Sequence, residues 1–226
     1  MKPTSAICIP CDANYLPGLL TLVASIRQHN DNAEIVVISH DLDVAGCVMA
    51  RPDDVRFSQI PRRRFPVAAF HFLYSLALDY DRVVWMGADQ LCVGDLSPLL
   101  YGDLPPFAGV SENLGIFRGH HERVCTGLLT IQPKAFPGIY DEMMEIALEG
   151  VSYDGGDQGV VNEWLIRKDI QPHILPQTYD VSVERYGSAW WDENRGSFLS
   201  IHYVAEKPWN AAPSLGKPYA EWWGYA

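Results

Sequence analysis

The chain contains no apolar run near the roughly 18 residues that a membrane-spanning helix needs, so no membrane span is expected. It is poor in basic residues: Lys+Arg number 17 against Asp+Glu 28, a formal net charge of −11. That argues against nucleic acid as a main partner, because no general basic field is available to neutralise phosphates. Cysteines are few and odd in number: Cys8, Cys11, Cys47, Cys92 and Cys125. With no secretory signal, that usage suits a reducing compartment, and a cytoplasmic location is expected. The opening MKPTSAICIPCDANY carries one Lys and β-branched residues ending in turn formers, so it reads as a first strand and not a leader. G-x-G-x-x-G after the first strand, G-x-x-x-x-G-K-[ST] and H-E-x-x-H are all absent, so a dinucleotide fingerprint, a P-loop and a zinc-hydrolase motif are unsupported. Internal repeats, low-complexity tracts and linkers are lacking too.

What is present is ordinary globular material, 48% hydrophobic and 20% charged over 226 residues, and residues 1–226 read as a single domain. The spacing predicts a buried strand at Ala6–Pro10, a helix over Leu19–His29 and a second buried strand from Glu34 to Ser39. This β-α-β order is the mark of a parallel sheet with a crossover helix. A short third strand is expected within Asp53–Ile60, a helix over Val67–Leu78 and a buried strand over Asp81–Met86. Strands follow at Phe107–Val110 and Gly127–Gln132, helices at Pro137–Glu149 and Asp157–Ile166, and a late strand near Ser200–Val204. The fold class is therefore α/β, with a mostly parallel central sheet flanked by helices.

Open α/β sheets bind ligands beyond the carboxyl ends of their strands. Asp12 and Asp89 fall at such ends, and His202 lies in or near the last strand. A carboxylate with an imidazole makes an oxygen/nitrogen site suited to Mn²⁺, with Mg²⁺ an alternative. Such an ion could bridge a diphosphate and stabilise its growing charge as it leaves. Alone, the pair is weak: an aspartate after a strand is more often a cap, and a histidine more often structural. Cys8 and Cys11 form C-x-x-C, but Cys8 falls inside the strand and no second pair exists, so ordinary thiols are expected. Arg62-Arg63-Arg64 reads as a solvated loop, His120-His121 as loop residues, and Trp190-Trp191 and Trp222-Trp223 as tail packing before sugar stacking.

Three segments sharpen this reading together. Val84-Trp-Met-Gly-Ala-Asp-Gln-Leu resembles the strand and D-x-D loop of GT-A glycosyltransferases. Ser152-Tyr-Asp-Gly-Gly-Asp-Gln-Gly-Val-Val-Asn resembles the F-D-G-G-D-Q-G-x-L-N segment of glycogenin-like family 8 enzymes, and Ile201-His-Tyr-Val-Ala-Glu-Lys-Pro-Trp-Asn their late H-F-x-G-x-x-K-P-W-N segment. Cys11-Asp-Ala-Asn-Tyr-Leu-Pro-Gly is also similar to that family's opening. The resemblance implies a GT-A, Rossmann-like nucleotide-diphospho-sugar transferase fold. It also implies a UDP-sugar donor, a Mn²⁺ cofactor, a glycan or protein acceptor, and hexose transfer (glucose or galactose) with retention. Asp89 and His202 would hold the metal. Asp12, Tyr15, His71, Ala88, Asp89 and Lys207 would bind the donor, with Lys207 neutralising the diphosphate. Asp157 and Gln158 would face the reacting sugar as the catalytic pair. A homodimer is left open.

The departures set the alternatives. The first acid of D-x-D is Gly87, an N-S-G segment reads Cys125-Thr126-Gly127, and in ungapped register His71 stands where relatives carry a lysine. Beside a retaining transferase, a non-catalytic nucleotide-sugar or glycan-binding relative stays open, and a metal hydrolase comes last. Asp157 has a competing role as the N-cap of its own helix.

Overall fold

The computed structural model describes residues 4–61, 64–112, 123–184, 188–211 and 216–226. Its centre is a seven-stranded sheet: β1 (Ser5–Pro10), β2 (Glu34–Ile38), β3 (Val48–Ala50), β4 (Arg82–Met86), β6 (Phe107–Ser111), β7 (Val124–Ile131) and β8 (His173–Leu175). The strand order is β3-β2-β1-β4-β7-β6-β8. β1 runs parallel to β2 and β4, β2 to β3, and β6 to β8, whereas β7 is antiparallel to both of its neighbours. A three-stranded sheet stands beside it, ordered β5-β10-β9, from β5 (Gln90–Cys92), β9 (Val181–Ser182) and β10 (Ser200–His202).

The apolar strand runs fit a sheet covered on both faces. Side chains alternate along each strand, so Ala6, Cys8, Val36, Ile38, Val83 and Trp85 enter one core, while Ile7, Ile9, Ile35, Val37, Val84 and Met86 enter the other. The first core is closed by α3 (Ile139–Glu149) and α4 (Asp157–Arg167), the second by α1 (Leu16–His29) and α2 (Ser97–Tyr101). A third cluster surrounds the small sheet. Trp191 and Trp222 are buried in it, and Trp190 stacks on Phe198 at 5.6 Å. α5 (Ser188–Asn194) and α6 (Lys217–Trp223) carry these rings. Both tryptophan pairs thus help to fasten the tail to the domain, although Trp223 remains exposed. Among the described residues, no helix is long and apolar enough to cross a membrane.

Two expected elements differ. The third strand is Val48–Ala50, and Val55–Gln59 is a 3-10 helix. Asp54 explains the difference: its carboxylate accepts the Arg56 N–H at 2.9 Å and pairs with the Arg56 guanidinium at 2.7 Å, closing a local turn that competes with strand pairing. Its buried apolar residues, Phe57 and Ile60, are three apart and do not alternate. Val67–Ala77 is likewise a 3-10 run, and not an α-helix. Phe70, Leu73 and Leu76 recur every third residue on its buried side, the repeat of a three-residue turn. β7 begins at Val124, earlier than the apolar pattern alone indicated, because Asn162 pins it: its side chain both accepts from the Val124 N–H and donates to the Val124 carbonyl, each at 2.9 Å.

All five cysteines are free. Cys8 is fully buried in β1, and burial pushes its thiol well above the ordinary range. Arg62, Arg63, His120 and His121 lie outside the described residues.

His71 sits in the interior, only 4% exposed, with its ring edge-on to Phe57 at 5.2 Å and to His40 at 4.9 Å. Among the described residues, neither ring nitrogen has a hydrogen-bond partner. Burial, aided by His40, lowers its pKa from 6.5 to about 4. The fold therefore favours the neutral ring: its stability is complete above the unfolded value and is lost as pH falls from about 6.5 to about 4. His71→Leu is expected to flatten the loss of stability across that window, by an amount approaching about 3 kcal/mol. Urea unfolding at pH 7 and pH 4 measures it.

Candidate functional site

The carboxyl ends of β1 and β4 open into a cleft of about 570 Å³ that includes Asp12, Tyr15, Asp89, Asp157, His202 and Lys207. β7 enters it from the opposite direction, so residues near its start, Cys125 to Gly127, lie where its antiparallel neighbour β4 ends. The Gly87 N–H donates to the Gly127 carbonyl at 3.3 Å across this junction.

Pairing in the small sheet brings the distant residues together. β10 runs antiparallel to β5, with His202 opposite Gln90, and the Tyr203 N–H donates to the Asp89 carbonyl at 3.0 Å. The Asp89 carboxylate then faces two cationic groups. Its Oδ2 accepts from Lys207 Nζ at 2.6 Å, and its Oδ1 lies 3.6 Å from His202 Nε2. Behind the imidazole, Nδ1 is 3.2 Å from Asp180 Oδ1, and that oxygen accepts from Gln90 Nε2 at 2.7 Å. Gln90 Oε1 in turn accepts the Gly87 N–H at 3.0 Å. Burial alone would neutralise these groups. For Asp89, the His202 and Lys207 charges outweigh burial and hold the carboxyl well below the usual range. For His202, burial disfavours the charged ring, but Asp180 and Asp89 outweigh it and raise the pKa well above 6.5. Lys207 Nζ completes its bonding on the carbonyls of Tyr203 and Val204, at 2.6 and 2.8 Å.

The D-G-G-D-Q-G segment divides its labour. The cap of α4 is supplied by Asp154, whose Oδ1 accepts from the N–H groups of Gly156 and Gly159 at 2.9 and 3.0 Å. Asp157 is the first residue inside the helix and not its N-cap, so the expected capping role falls to Asp154. Gly155 adopts φ +78°, and a Cβ on Gly159 would stand 2.1 Å from Ser152 Oγ. Asp157 lines the cleft, and its carboxyl also accepts from its own and the Gln158 backbone N–H groups at the start of the helix. Burial, reinforced by Asp154 and opposed by a hydrogen bond from Thr126, raises its carboxyl to about 7. Gln158 bridges two walls: Nε2 donates to Glu112 Oε1 at 2.8 Å, and Oε1 accepts the Thr126 N–H at 3.3 Å.

Tyr15 lies edge-on to Trp209 at 5.5 Å, with Lys207 Nζ 5.7 Å from its ring centre. Asp12 accepts the Asn14 N–H at 2.9 Å and so opens the turn that sets Tyr15. Gly18 explains how closely these segments meet. A Cβ there would stand 2.3 Å from the Ala88 carbonyl and 2.4 Å from the Trp209 ring. The opening motif, the D-x-D-like loop and K-P-W-N therefore converge on one glycine.

Asp12, Tyr15, Ala88, Asp89, Asp157, Gln158, His202 and Lys207 all line this cleft. His71 is the exception and its placement at the donor is corrected. Ala68, Ala69 and Phe72 of its segment reach the cleft, while its ring is held among Phe57 and His40. Sequence reasoning missed Gln90, Glu112, Asp154 and Asp180. Asp154 and Gln90 stand inside the D-G-G-D-Q-G and D-x-D-like segments, whereas Glu112 and Asp180 belong to no spacing pattern and acquire partners only through folding. Arg64 also lines the cleft.

A divalent ion fits the donor set at the outer position. Asp89 Oδ1 and His202 Nε2 face each other at 3.6 Å, and the Asp180 contact behind the ring is the carboxylate–imidazole arrangement that orients metal-ligating histidines. At Gly87 a Cβ would meet Asp89 Oδ1 at 2.6 Å, so the remaining carboxylate occupies space that a first acid would crowd.

No family model matches the chain. Among curated proteins it is 24% identical over 207 residues to a putative UDP-glucuronate:xylan alpha-glucuronosyltransferase 5 of Arabidopsis thaliana, covering 86% of this chain and 34% of that protein. It is 23% identical over 252 residues to glycosyltransferase GlyF of Streptococcus pneumoniae, covering 97% of this chain and 61% of that protein. With human glycogenin-1 it shares 24% identity over 232 residues, 93% of this chain and 63% of that protein. The chain thus spans between a third and two thirds of the length of these relatives. Among solved structures, glycosyltransferase GlyE of S. pneumoniae superposes with a TM-score of 0.73 at 21% identity, over 98% of this chain and 60% of that one. Galactosyltransferase LgtC, solved with donor and acceptor sugar analogues, gives 0.72 at 15% identity, over 97% and 95%. The fold is that of the GT-A glycosyltransferases. Within that class, the relatives agree with the glycogenin-like resemblance that the motifs carry.

The raised Asp157 carboxyl has a stability cost of definite sign. Its folded pKa of about 7 lies above the unfolded 3.8, so stability is complete below pH 3.8 and declines as pH rises towards 7. Asp157→Asn is expected to raise Tm by several degrees at pH 8, with a gain that shrinks steadily on going down to pH 4. Calorimetry at four pH values measures this, and an unchanged Tm at pH 8 would contradict the placement.

Proposed function

We propose that this chain is a retaining glycosyltransferase that moves a hexose from a UDP-sugar to a glycan or protein acceptor, with Mn²⁺ held by Asp89 and His202. The observation that carries the reading is the meeting of Asp89, His202 and Lys207 at the end of β4, in one cleft with Asp157 and Gln158. The activities of the relatives support it: UDP-glucuronate is the donor named for the plant proteins, and LgtC is a galactosyltransferase. Glucose or galactose remains the proposed sugar, and glucuronate belongs in any donor panel.

The acceptor oxygen attacks the anomeric carbon on the face from which UDP departs. The carbon–oxygen bond to the β-phosphate breaks, its electron pair goes to the phosphate oxygen, and the acceptor proton is taken up by that same oxygen. Bound Mn²⁺ would act as a Lewis acid on the diphosphate. Lys207 supplies a fixed ammonium beside it, exchanging its bond to Asp89 for phosphate oxygens. Tyr15 offers a ring wall for the uracil, next to Asp12. Asp157, with a carboxyl near neutrality, accepts from or donates to a sugar hydroxyl and holds the reacting carbon in line. Gln158 fixes that wall through Glu112 and the Thr126 N–H.

A second reading rests on Gly87, which removes one carboxylate from the metal position: a nucleotide-sugar-binding protein without turnover. Two measurements separate them. UDP is expected to raise Tm more with Mn²⁺ than with EDTA, and equal shifts at saturating UDP would count against the metal role. Turnover of UDP-glucose, UDP-galactose or UDP-glucuronate, falling at least about a hundredfold in Asp89→Ala, supports transfer. UDP binding with no turnover of any donor on an acceptor panel supports the passive reading.

A further inference from the structure

His202 has two nitrogens, and only Nε2 faces the proposed outer metal position. Nδ1 looks the other way, into a recess walled by Cys125 and Asp180. One ligand atom from each of Cys125, Asp180 and His202 lies within 4.8 Å of the others. Nδ1 is 3.2 Å from Asp180 Oδ1, and the Cys125 thiol hydrogen-bonds the same ring. We infer that Cys125, Asp180 and His202 Nδ1 form a second cation site, selective for a thiophilic divalent ion such as Zn²⁺.

Four observations carry it. First, the atoms are gathered closely enough for one ion to draw them together: bonds of about 2.0–2.3 Å in a tetrahedron need ligand atoms roughly 3.3–3.7 Å apart, and Nδ1 already stands 3.2 Å from Asp180 Oδ1 with all three atoms inside 4.8 Å. Second, the ligand chemistry is right. Thiolate and imidazole with one carboxylate favour Zn²⁺ over Mn²⁺, whereas the outer pair lacks sulfur. Third, the ligands are braced as metal ligands are. Gln90 Nε2 donates to Asp180 Oδ1 at 2.7 Å, and the Gly127 N–H donates to Cys125 Sγ at 3.5 Å. Fourth, the recess depends on a missing side chain: a Cβ on Gly127 would stand 2.5 Å from the His202 ring and 2.7 Å from Asp180 Oδ2. The Asp180 side chain is 2% exposed and that of His202 12%, so an ion here is largely shielded from water.

The site does not depend on the transferase reading, but it bears on it. A neutral imidazole bonded to metal through Nδ1 keeps its proton on Nε2, where it points at Asp89 Oδ1. Occupation of the inner position therefore opposes occupation of the outer one.

The test uses the unmodified chain, with Co²⁺ and Zn²⁺ as probes. Co²⁺ is expected to produce a near-ultraviolet thiolate-to-cobalt charge-transfer band at one equivalent, displaced by Zn²⁺. Cys125→Ser should remove the band and weaken Zn²⁺ binding by calorimetry at least about tenfold, while Cys47→Ser, a thiol outside the recess, should leave both unchanged. Mass spectrometry should show Zn²⁺ protecting Cys125 from alkylation in the wild type, a readout that needs no variant. No band at one equivalent, a band that survives Cys125→Ser, or loss of the band in Cys47→Ser would each overturn the site. Loss of Mn²⁺-dependent UDP binding would overturn only the function proposed above.

Discussion

The floor of the cleft depends on the Asp89 carboxylate and its pairing with His202 and Lys207. The carboxylate is a charge withdrawn from water, and such a group persists only where opposite charges and hydrogen bonds offset the lost solvation. Lys207, 118 positions later in the chain, and His202 provide that offset, and they reach it only because β10 lies against β5. The small sheet is thus more than an appendage: its ladder sets the distance between a carboxylate from the middle of the chain and an imidazole near its end. Asp180 and Gln90 extend the same chain of contacts inward, so the cleft floor is one connected set of polar groups and not separate side chains.

The motif segments show how much of a signature serves architecture. In the D-G-G-D-Q-G run, Asp154 caps a helix, Gly155 permits a left-handed turn, Gly159 leaves room for Ser152, and Asn162 beyond it pins β7. Asp157 and Gln158 line the cleft, Gln158 tying Glu112 to the Thr126 N–H. K-P-W-N divides similarly: Lys207 turns inward, while Trp209 seats against Gly18 and Tyr15. The recurrence of such strings along a chain therefore reports shared geometry first and shared chemistry second.

Strands β1, β2 and β4 and helices α1, α3 and α4 were legible because their apolar spacing is long and regular. The error at Asp53–Ile60 arose because one side-chain cap, Asp54 on Arg56, decides the local conformation against β-branched neighbours. The cleft was legible wherever a residue sat at a strand end or inside a motif, as Asp12, Asp89 and Asp157 do. His71 failed because a correspondence in register carries no information about which way a ring turns inside a three-residue coil. Asp180 could not be found at all, and Gln90, though it follows Asp89 in the D-x-D-like segment, showed nothing of its role: both are placed by the β5-β10-β9 ladder, which no local pattern announces.

The near balance of charge on the cleft floor has a kinetic side. Asp89 and Asp180 are matched by His202 and Lys207, so little positive potential projects outward, while the molecule as a whole carries −11. An approaching polyanion meets the net negative charge of the molecule at long range, with no basic funnel to offset it. Encounter is therefore unsteered and quickens as added salt shortens the reach of the repulsion. That is the reverse of the behaviour of proteins that draw anions in with a basic funnel.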